Sequence, residues 1–296
     1  MAIPYRCPHC GAAGVADDQY AGQTGPCASC GQTLAIPIAS SASGPLPPGG
    51  SSGSGIGSIV MIVAAVGVAG LCGIGILIAL LVPAVSSSRD AARRMQCSNN
   101  MKQIALAMLN YESTNGSFPP AYTVDENGQP LHSWRVLILP YLEQRHLYEQ
   151  IARDEPWDSP ANRQFHDVMI DIYGCPASVD EPSDTNYMVL VGDETLFPPE
   201  GKSLAPSDVR DGLSNTILVV EIANTGVHWM EPTDLQFDIM AFTPNSGRDG
   251  LASEHRGMAN VALADGSVHA IDDDVDPQTL RAMSTASGGE HVPGNW

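Results

Sequence analysis

Basic residues are scarce in this chain. Lys and Arg supply 14 of its 296 positions against 33 Asp and Glu, for a net charge of −19. A surface of that sign repels nucleic-acid backbones and anionic headgroups, so no nucleic-acid partner is expected. Charge of either sign is missing from residues 56–85, and no acidic residue lies between Asp18 and Asp90. The C-terminal two-thirds therefore carries almost the whole negative charge. A G-x-S-x-G elbow is also missing, so nothing presents a nucleophilic serine. Ser214, Glu221 and His228 then read as scattered polar residues, and the chain is not expected to be an enzyme.

The uncharged run at 56–85 is thirty residues long. About 20 apolar residues cross a bilayer core as a helix, so this run is long enough to span a membrane with some tilt. Helical character continues beyond Pro83. Cys97, Met101, Ile104, Met108 and Tyr111 follow at alternating steps of four and three, which places them on one helix face. The expectation is one long helix, in lipid at its start and against a folded domain at its end. Asn115-Gly116 should end it, with Pro119-Pro120 blocking continuation.

Four of the seven cysteines sit near the N-terminus, in YRCPHC and GPCASC. Two C-x2-C pairs at this spacing can complete a tetrahedral Zn²⁺ site through Cys7, Cys10, Cys27 and Cys30. Gly11 and Gly31 follow the second cysteine of each pair, where the chain must turn. Residues 1–36 thus resemble a small zinc ribbon, with the metal supplying most of its folding free energy. Four thiolates fill the site, so the zinc is structural and His9 is a spacer. Residues 37–55 are almost wholly Pro, Gly, Ser and Ala and read as a flexible linker.

Beyond residue 120 the pattern changes twice. Trp134 to Ile151 has helical spacing interrupted by Pro140, which predicts two short helices or one kinked helix. Asp158-Ser159-Pro160 predicts another short helix, toward His166. MIDIYGCP, NYMVLVG, NTILVVEI and NVALA then read as strands. Asp265-Gly266 between two apolar-patterned runs predicts a hairpin, with positive φ expected at both positions. A short helix (TLRAM) and a disordered end are expected in the tail, 277–296.

Several stretches carry a resemblance. They are LIALLVPAVSSSRDAARRMQCSNNMKQIALAMLNYESTNGSFPP, SWRVLILPYLEQ, DEPWDSP, YGCP, TNYMVLVG, DGLSNTILVVE, HWMEPTDL and HRGMANVALADGSV. Together they resemble a bacterial family known as domain of unknown function 1559, whose members are similar to type IV pilins and pseudopilins at their N-termini. Many of them end in an H-x9-DG motif, matched here by His255, Asp265 and Gly266. The resemblance implies an α+β fold in residues 86–276: a long pilin-like helix, transmembrane in its first half, packed on an antiparallel sheet. It also implies export of that domain from the cytoplasm. One departure stands out. If Gly57 were the glycine that a prepilin peptidase recognises, the assembly position would be Ile62 rather than glutamate. Processing into a fibre is therefore not expected.

Topology pulls two ways. Arg89, Arg93, Arg94 and Lys102 after the apolar run favour a cytoplasmic C-terminal side. Ribbon thiolates favour a reducing compartment for the N-terminus, and the resemblance sides with them. The expected location is a single-pass cell membrane protein, N-terminus inside and C-terminal domain outside. Cys97 and Cys175 are then disulfide candidates, with two buried free thiols as the alternative. Possible ligand contacts are His255 with Asp265, and His228 with Trp229. Asp272, Asp273, Asp274 and Asp276 are a weak Ca²⁺ candidate because they lack EF-hand spacing. The expected role is structural or interaction-based, with other envelope proteins as partners. An anchored receptor for a small solute or glycan is the alternative, and a hydrolase a weaker third.

Overall fold

The computed structural model describes residues 2–36, 55–247 and 250–294, with side chains of the long helix described from Ala79, 83 and 84 excepted. The linker expected at 37–55 lies, apart from Gly55, outside these residues. So do most side chains of the expected membrane span. Among the described residues no helix is long and apolar enough to cross a membrane. Backbone contacts divide the chain into two units, Met1–Cys72 and Gly73–Trp296.

The first unit holds two antiparallel hairpins. Strand β1 (Ala2–Arg6) pairs with β2 (Ala13–Asp17), and β3 (Thr24–Pro26) with β4 (Thr33–Ala35). Its core is little more than Cys7, Cys27 and Leu34, with Tyr5 and Ile36 beside them. So little apolar burial makes a weak core for a unit of this size.

Helix α1 (Gly55–Asn115) enters the second unit. Cys97, Met101, Ile104 and Met108 are fully buried along one face, each apolar side chain contributing about 1.5–3 kcal/mol. Gly116 ends the helix at φ +81°, its N–H bonded to the carbonyl of Glu112. Hairpin β5 (Tyr122–Val124) and β6 (Pro130–Ser133) follows, then α2 (Trp134–Leu137), a 3-10 turn holding Pro140, and α3 (Arg145–Gln150). Proline cannot donate to a helical ladder, so the helical pattern is broken there.

The central sheet has the order β12-β11-β9-β7 and is antiparallel throughout. Its strands are β7 (Tyr187–Met188), β9 (Ile217–Glu221), β11 (Met258–Leu263) and β12 (Val268–Asp272). A short parallel pair, β8 (Leu190–Val191) with β10 (Leu235–Gln236), lies outside it. All five residues of β9 are buried. Leu218 and Ala262 join the cluster of Met101, Ile104 and Met108. Ile217, Val220 and Val261 join a second cluster with Leu280 and Met283 of α4 (Pro277–Met283). The sheet is thus covered on both sides, which is why its strands read as apolar runs.

Four expectations need correction. MIDIYGCP is no strand but a 3-10 turn at Asp171–Tyr173. The Asn100 side chain of α1 donates to the carbonyls of Asp171 and Gly174, so a neighbouring strand is not needed to satisfy them. The helix expected after Asp158 is only a 3-10 turn, Arg163–Phe165. The Asn162 side chain braces the preceding loop: its amide donates to the carbonyls of Ala152 and Pro156, and its Oδ1 accepts the Ala152 N–H. At the hairpin tip only Gly266 has positive φ, +85°. Gly266 N–H bonds to the carbonyl of Leu263, and Leu263 N–H to that of Ser267, a type I turn closed by a glycine bulge. The backbone angle favours glycine at 266, and a Cβ there would also lie 2.8 Å from Leu109 Cδ1 of α1, the end of a side chain that would have to shift.

The fourth correction concerns the tail. Leu280, Met283, Ser284, Thr285 and Ala286 are buried. The Asp211 carboxylate accepts the N–H groups of Gly288 and Gly289, which pins the segment expected to be disordered. Residues 277–289 belong to the domain.

Candidate functional site

The ribbon cysteines converge. Cys7 and Cys30 sulfurs are 3.7 Å apart, Cys10 and Cys27 sulfurs 3.8 Å, and all four lie within 4.8 Å of one another. Tetrahedral Zn–S bonds of about 2.3 Å place ligand sulfurs about 3.8 Å apart, so the set fits that ion. Gly11 and Gly31, at φ +72° and +73°, turn each knuckle and return their N–H groups to the carbonyls of Cys7 and Cys27. Backbone N–H groups of Ser29 and Cys30 lower the Cys27 thiol to about 6, while Cys30, against the pull of the Gln32 N–H, is pushed up to about 12 by Cys10, burial and Cys27, so the crowded thiols share negative charge unevenly.

In the second unit two groups of buried charged residues stand out. The first joins SWR of α2 to the PTD before β10. Arg135 is fully buried, and its guanidinium donates to Asp234 Oδ1 at 2.8 Å, to the Tyr187 carbonyl and to Ser133 Oγ. Asp234 Oδ1 also accepts from Trp134 Nε1 and the N–H of Val189. One carboxylate thereby ties together α2, the β7–β8 segment and the approach to β10.

The second site lies where α1 meets the sheet. Cys97 of α1 and Cys175 are joined in a disulfide with a Cα separation of 5.2 Å. His255 Nε2 stands 3.6 Å from Cys175 Sγ and 3.8 Å from Glu221 Oε1, the carboxylate ending β9. The Asn260 backbone and side-chain N–H groups hold Glu221 Oε2 at 3.1 and 2.6 Å. Oε1 is left with no hydrogen-bond partner although Glu221 is 1% exposed. Burial pushes the Glu221 carboxyl up, opposed by Asn260, by His255 and by the nearby Ser253 hydroxyl, which stands too far from Oε1 or too poorly aligned to make a hydrogen bond. His255 opens on one side to a surface cavity of ≈ 600 Å³, bordered also by Asn245, Glu254 and Asp273.

Motifs scattered along the chain have now met in space: the α1 segment, SWR, YGCP and TNY all supply these sites. Residues 86–199 match the DUF1559 family model, described as a protein of unknown function. No curated protein and no solved structure matches the chain. The DUF1559 segment contains both disulfide cysteines and Arg135. Glu221, Asp234 and His255, the partners of those residues, lie beyond the matched range.

The expected ligand contacts are redistributed. His255 and Asp265 flank β11 at opposite ends and do not face each other. Asp265 accepts from the N–H and hydroxyl of Ser267 and serves the hairpin. Ser267 also contacts His269, but there the serine stands between acid and imidazole, which is not a triad order. His228 and Trp229 form no open apolar patch. Trp157, His166, His228 and Trp229 make one ring cluster: Trp157 stacks on both His166 and His228, at 5.0 and 5.4 Å between centroids, and His228 meets Trp229 at 5.6 Å in a tilted contact. Trp229 is 1% exposed and donates to the Val168 carbonyl. The sequence could not show that Trp157 and His166 would cover them. The Asp272–Asp276 carboxylates disperse: Asp273 accepts from Asn245, and Asp276 caps α4. Among the described residues they form no metal-sized group. Glu221 as the partner of His255 was missed; a charged residue ending an otherwise apolar strand was its one signal.

His228 supplies a pH prediction. Its Nδ1 accepts the Met230 N–H at 3.1 Å, so its Nε2 carries the proton and donates to the His166 carbonyl. Burial lowers its pKa, with the charge of His166 adding to the effect. His132 is lowered for the same first reason. The unfolded chain takes up protons near 6.5 that the folded one refuses, so stability is lost as pH falls below that value. Thermal melting at about pH 7.5 and about 5.5 should show a drop that shrinks in His228→Asn. An undiminished drop in that variant would remove His228 as a source.

Proposed function

We propose that the chain is a membrane-anchored cell-envelope protein. In this reading residues 86–276, with the tail packed onto them, are an exported pseudopilin-like domain with a structural or protein-interaction role. The carrying observation is the pairing state of the cysteines. Cys97 and Cys175 are bonded in the C-terminal unit, whereas Cys7, Cys10, Cys27 and Cys30 are free and spaced for metal in the N-terminal one. A disulfide persists in an oxidising space and zinc thiolates in a reducing one. The uncharged run 56–85 lies between the two and is long enough to separate the compartments. A long helix laid on an antiparallel sheet supports the pilin likeness, and the absence of glutamate at Ile62 argues for a permanently anchored variant. Structural zinc in the ribbon belongs to the same reading. A receptor for a small polar solute is the second reading, favoured by the cavity beside His255, Asn245, Glu254 and Asp273.

Val179 is 84% exposed and offers a reporter position. In intact cells Val179→Cys should react with a membrane-impermeant maleimide, while the ribbon cysteines stay silent until the membrane is broken. Labelling of Val179→Cys only after lysis would place the domain in the cytoplasm and end this proposal.

A further inference from the structure

The disulfide, Glu221 and His255 form an assembly for which stability alone is a poor explanation. All four side chains are buried, and one ligand atom from each lies within 4.8 Å of the others. They come from four separate segments: α1, the loop after the Asp171–Tyr173 turn, the end of β9, and the loop before β11. A carboxylate oxygen without a hydrogen bond costs about 1–3 kcal/mol or more when buried. Glu221 Oε1 is such an atom, and the two N–H groups of Asn260 fix its direction by holding Oε2. That is the outer-shell support a metal-ligating carboxylate receives.

We propose that Cys97, Cys175, Glu221 and His255 form a second metal site, closed while the disulfide is intact and open to a zinc-like divalent cation once it is reduced. In the disulfide each sulfur is bonded to the other and is a poor ligand. A dithiol reductant attacks one sulfur, passes through a mixed disulfide and leaves as its own disulfide, having given two electrons. The S–S bond breaks and two thiols remain. Zn²⁺ then displaces their two protons to solvent and takes two thiolates, an imidazole nitrogen and a carboxylate oxygen. The present separations of 3.6 and 3.8 Å already suit neighbouring ligands of one tetrahedral ion. The sulfurs must part, toward the 3.7 and 3.8 Å seen between the N-terminal cysteines, and the remaining pairs, now within 4.8 Å, must close on the same ion. The cavity beside His255, lined by Glu254 and Asp273 together with Arg256, gives an ion a polar route from solvent to the site. The proposal does not depend on the side of the membrane on which the domain lies.

The test is zinc stoichiometry of the full-length chain in detergent, oxidised and then reduced with a dithiol. Reduction should add about one equivalent of zinc per chain. Replacing all four ribbon cysteines with serine should lower both counts and leave the difference intact, so failure of the ribbon reading is seen separately. His255→Ala and Glu221→Gln should each weaken the added equivalent at least about tenfold, while still forming the Cys97–Cys175 bond on oxidation, which reports that they fold. Zinc should raise the melting temperature of the reduced wild-type domain and leave the oxidised one unchanged. Equal counts in the two redox states overturn the proposal. So does an added equivalent that survives both substitutions, or a reduced chain that unfolds and gains no zinc.

Discussion

Replacing Asp234 with alanine should destabilise the C-terminal domain by about 3–5 kcal/mol, because it leaves the Arg135 guanidinium charged, buried and unpaired. Arg135 has no exposure, and its other acceptors are a carbonyl and a hydroxyl, neither of which neutralises it. Three donors lose their shared acceptor at the same time: Arg135 Nη2, Trp134 Nε1 and the Val189 N–H. Burial pushes the Asp234 carboxyl up, and the Arg135 charge pulls it back. Asp234→Asn separates charge from hydrogen bonding. It keeps an oxygen for Trp134 and Val189 and removes only the charge, so its loss should be smaller. Urea unfolding of the three proteins measures both. Equal losses would mean that the charge does all the work, and a loss under about 1 kcal/mol would mean that water reaches Arg135.

Removing the disulfide should have a comparable effect. The bond closes a loop of 78 residues, and in the chain-entropy account such a closure contributes about 4 kcal/mol. Cys97→Ser with Cys175→Ser should therefore lower the domain's melting temperature by about 10 °C, given about 2–4 °C per kcal/mol at this size. The double variant keeps the packing of Met101, Ile104 and Met108, so the sheet should still form. A shift of only a degree or two would show that the reduced, unfolded chain is already compact around α1. Because the same pair supplies the proposed metal ligands, zinc must be absent from this measurement.

Parts of this architecture were plain in the residues. Steps of four and three from Cys97 to Tyr111 mark a helix face by themselves, since 3.6 residues per turn is a property of the backbone. The C-x2-C pairs and their glycines specify knuckles locally, and Pro140 breaks a helix wherever it stands. NTILVVE and NVALA declare strands through their β-branched content, and both are in the sheet. Where local reading failed, a remote group had intervened. MIDIYGCP is as apolar as a strand, yet Asn100 on α1 takes the carbonyls that a neighbouring strand would have taken. Gly266 was legible as a turn residue, but not that Leu109 stands 2.8 Å from where its Cβ would be.

Site chemistry divides along the same line. The convergence of Cys7, Cys10, Cys27 and Cys30 was readable because the pairs are close in sequence and their spacing is the signal. His255 was singled out by its motif, but its partner was expected to be Asp265, and the structure supplies Glu221 and Cys175 instead. Asp265 lies beyond the far end of β11, and nothing in the spacing of a motif tells which neighbouring strand will present an acid. Sequence alone determined the periodicities, the turn chemistry, the clustered thiols and the uncharged run, each a property of residues within a few positions of one another. Tertiary structure alone decided which buried charge meets which. Arg135 finds Asp234 and His255 finds Glu221 across tens of residues, through sheet register and helix packing that no local pattern encodes.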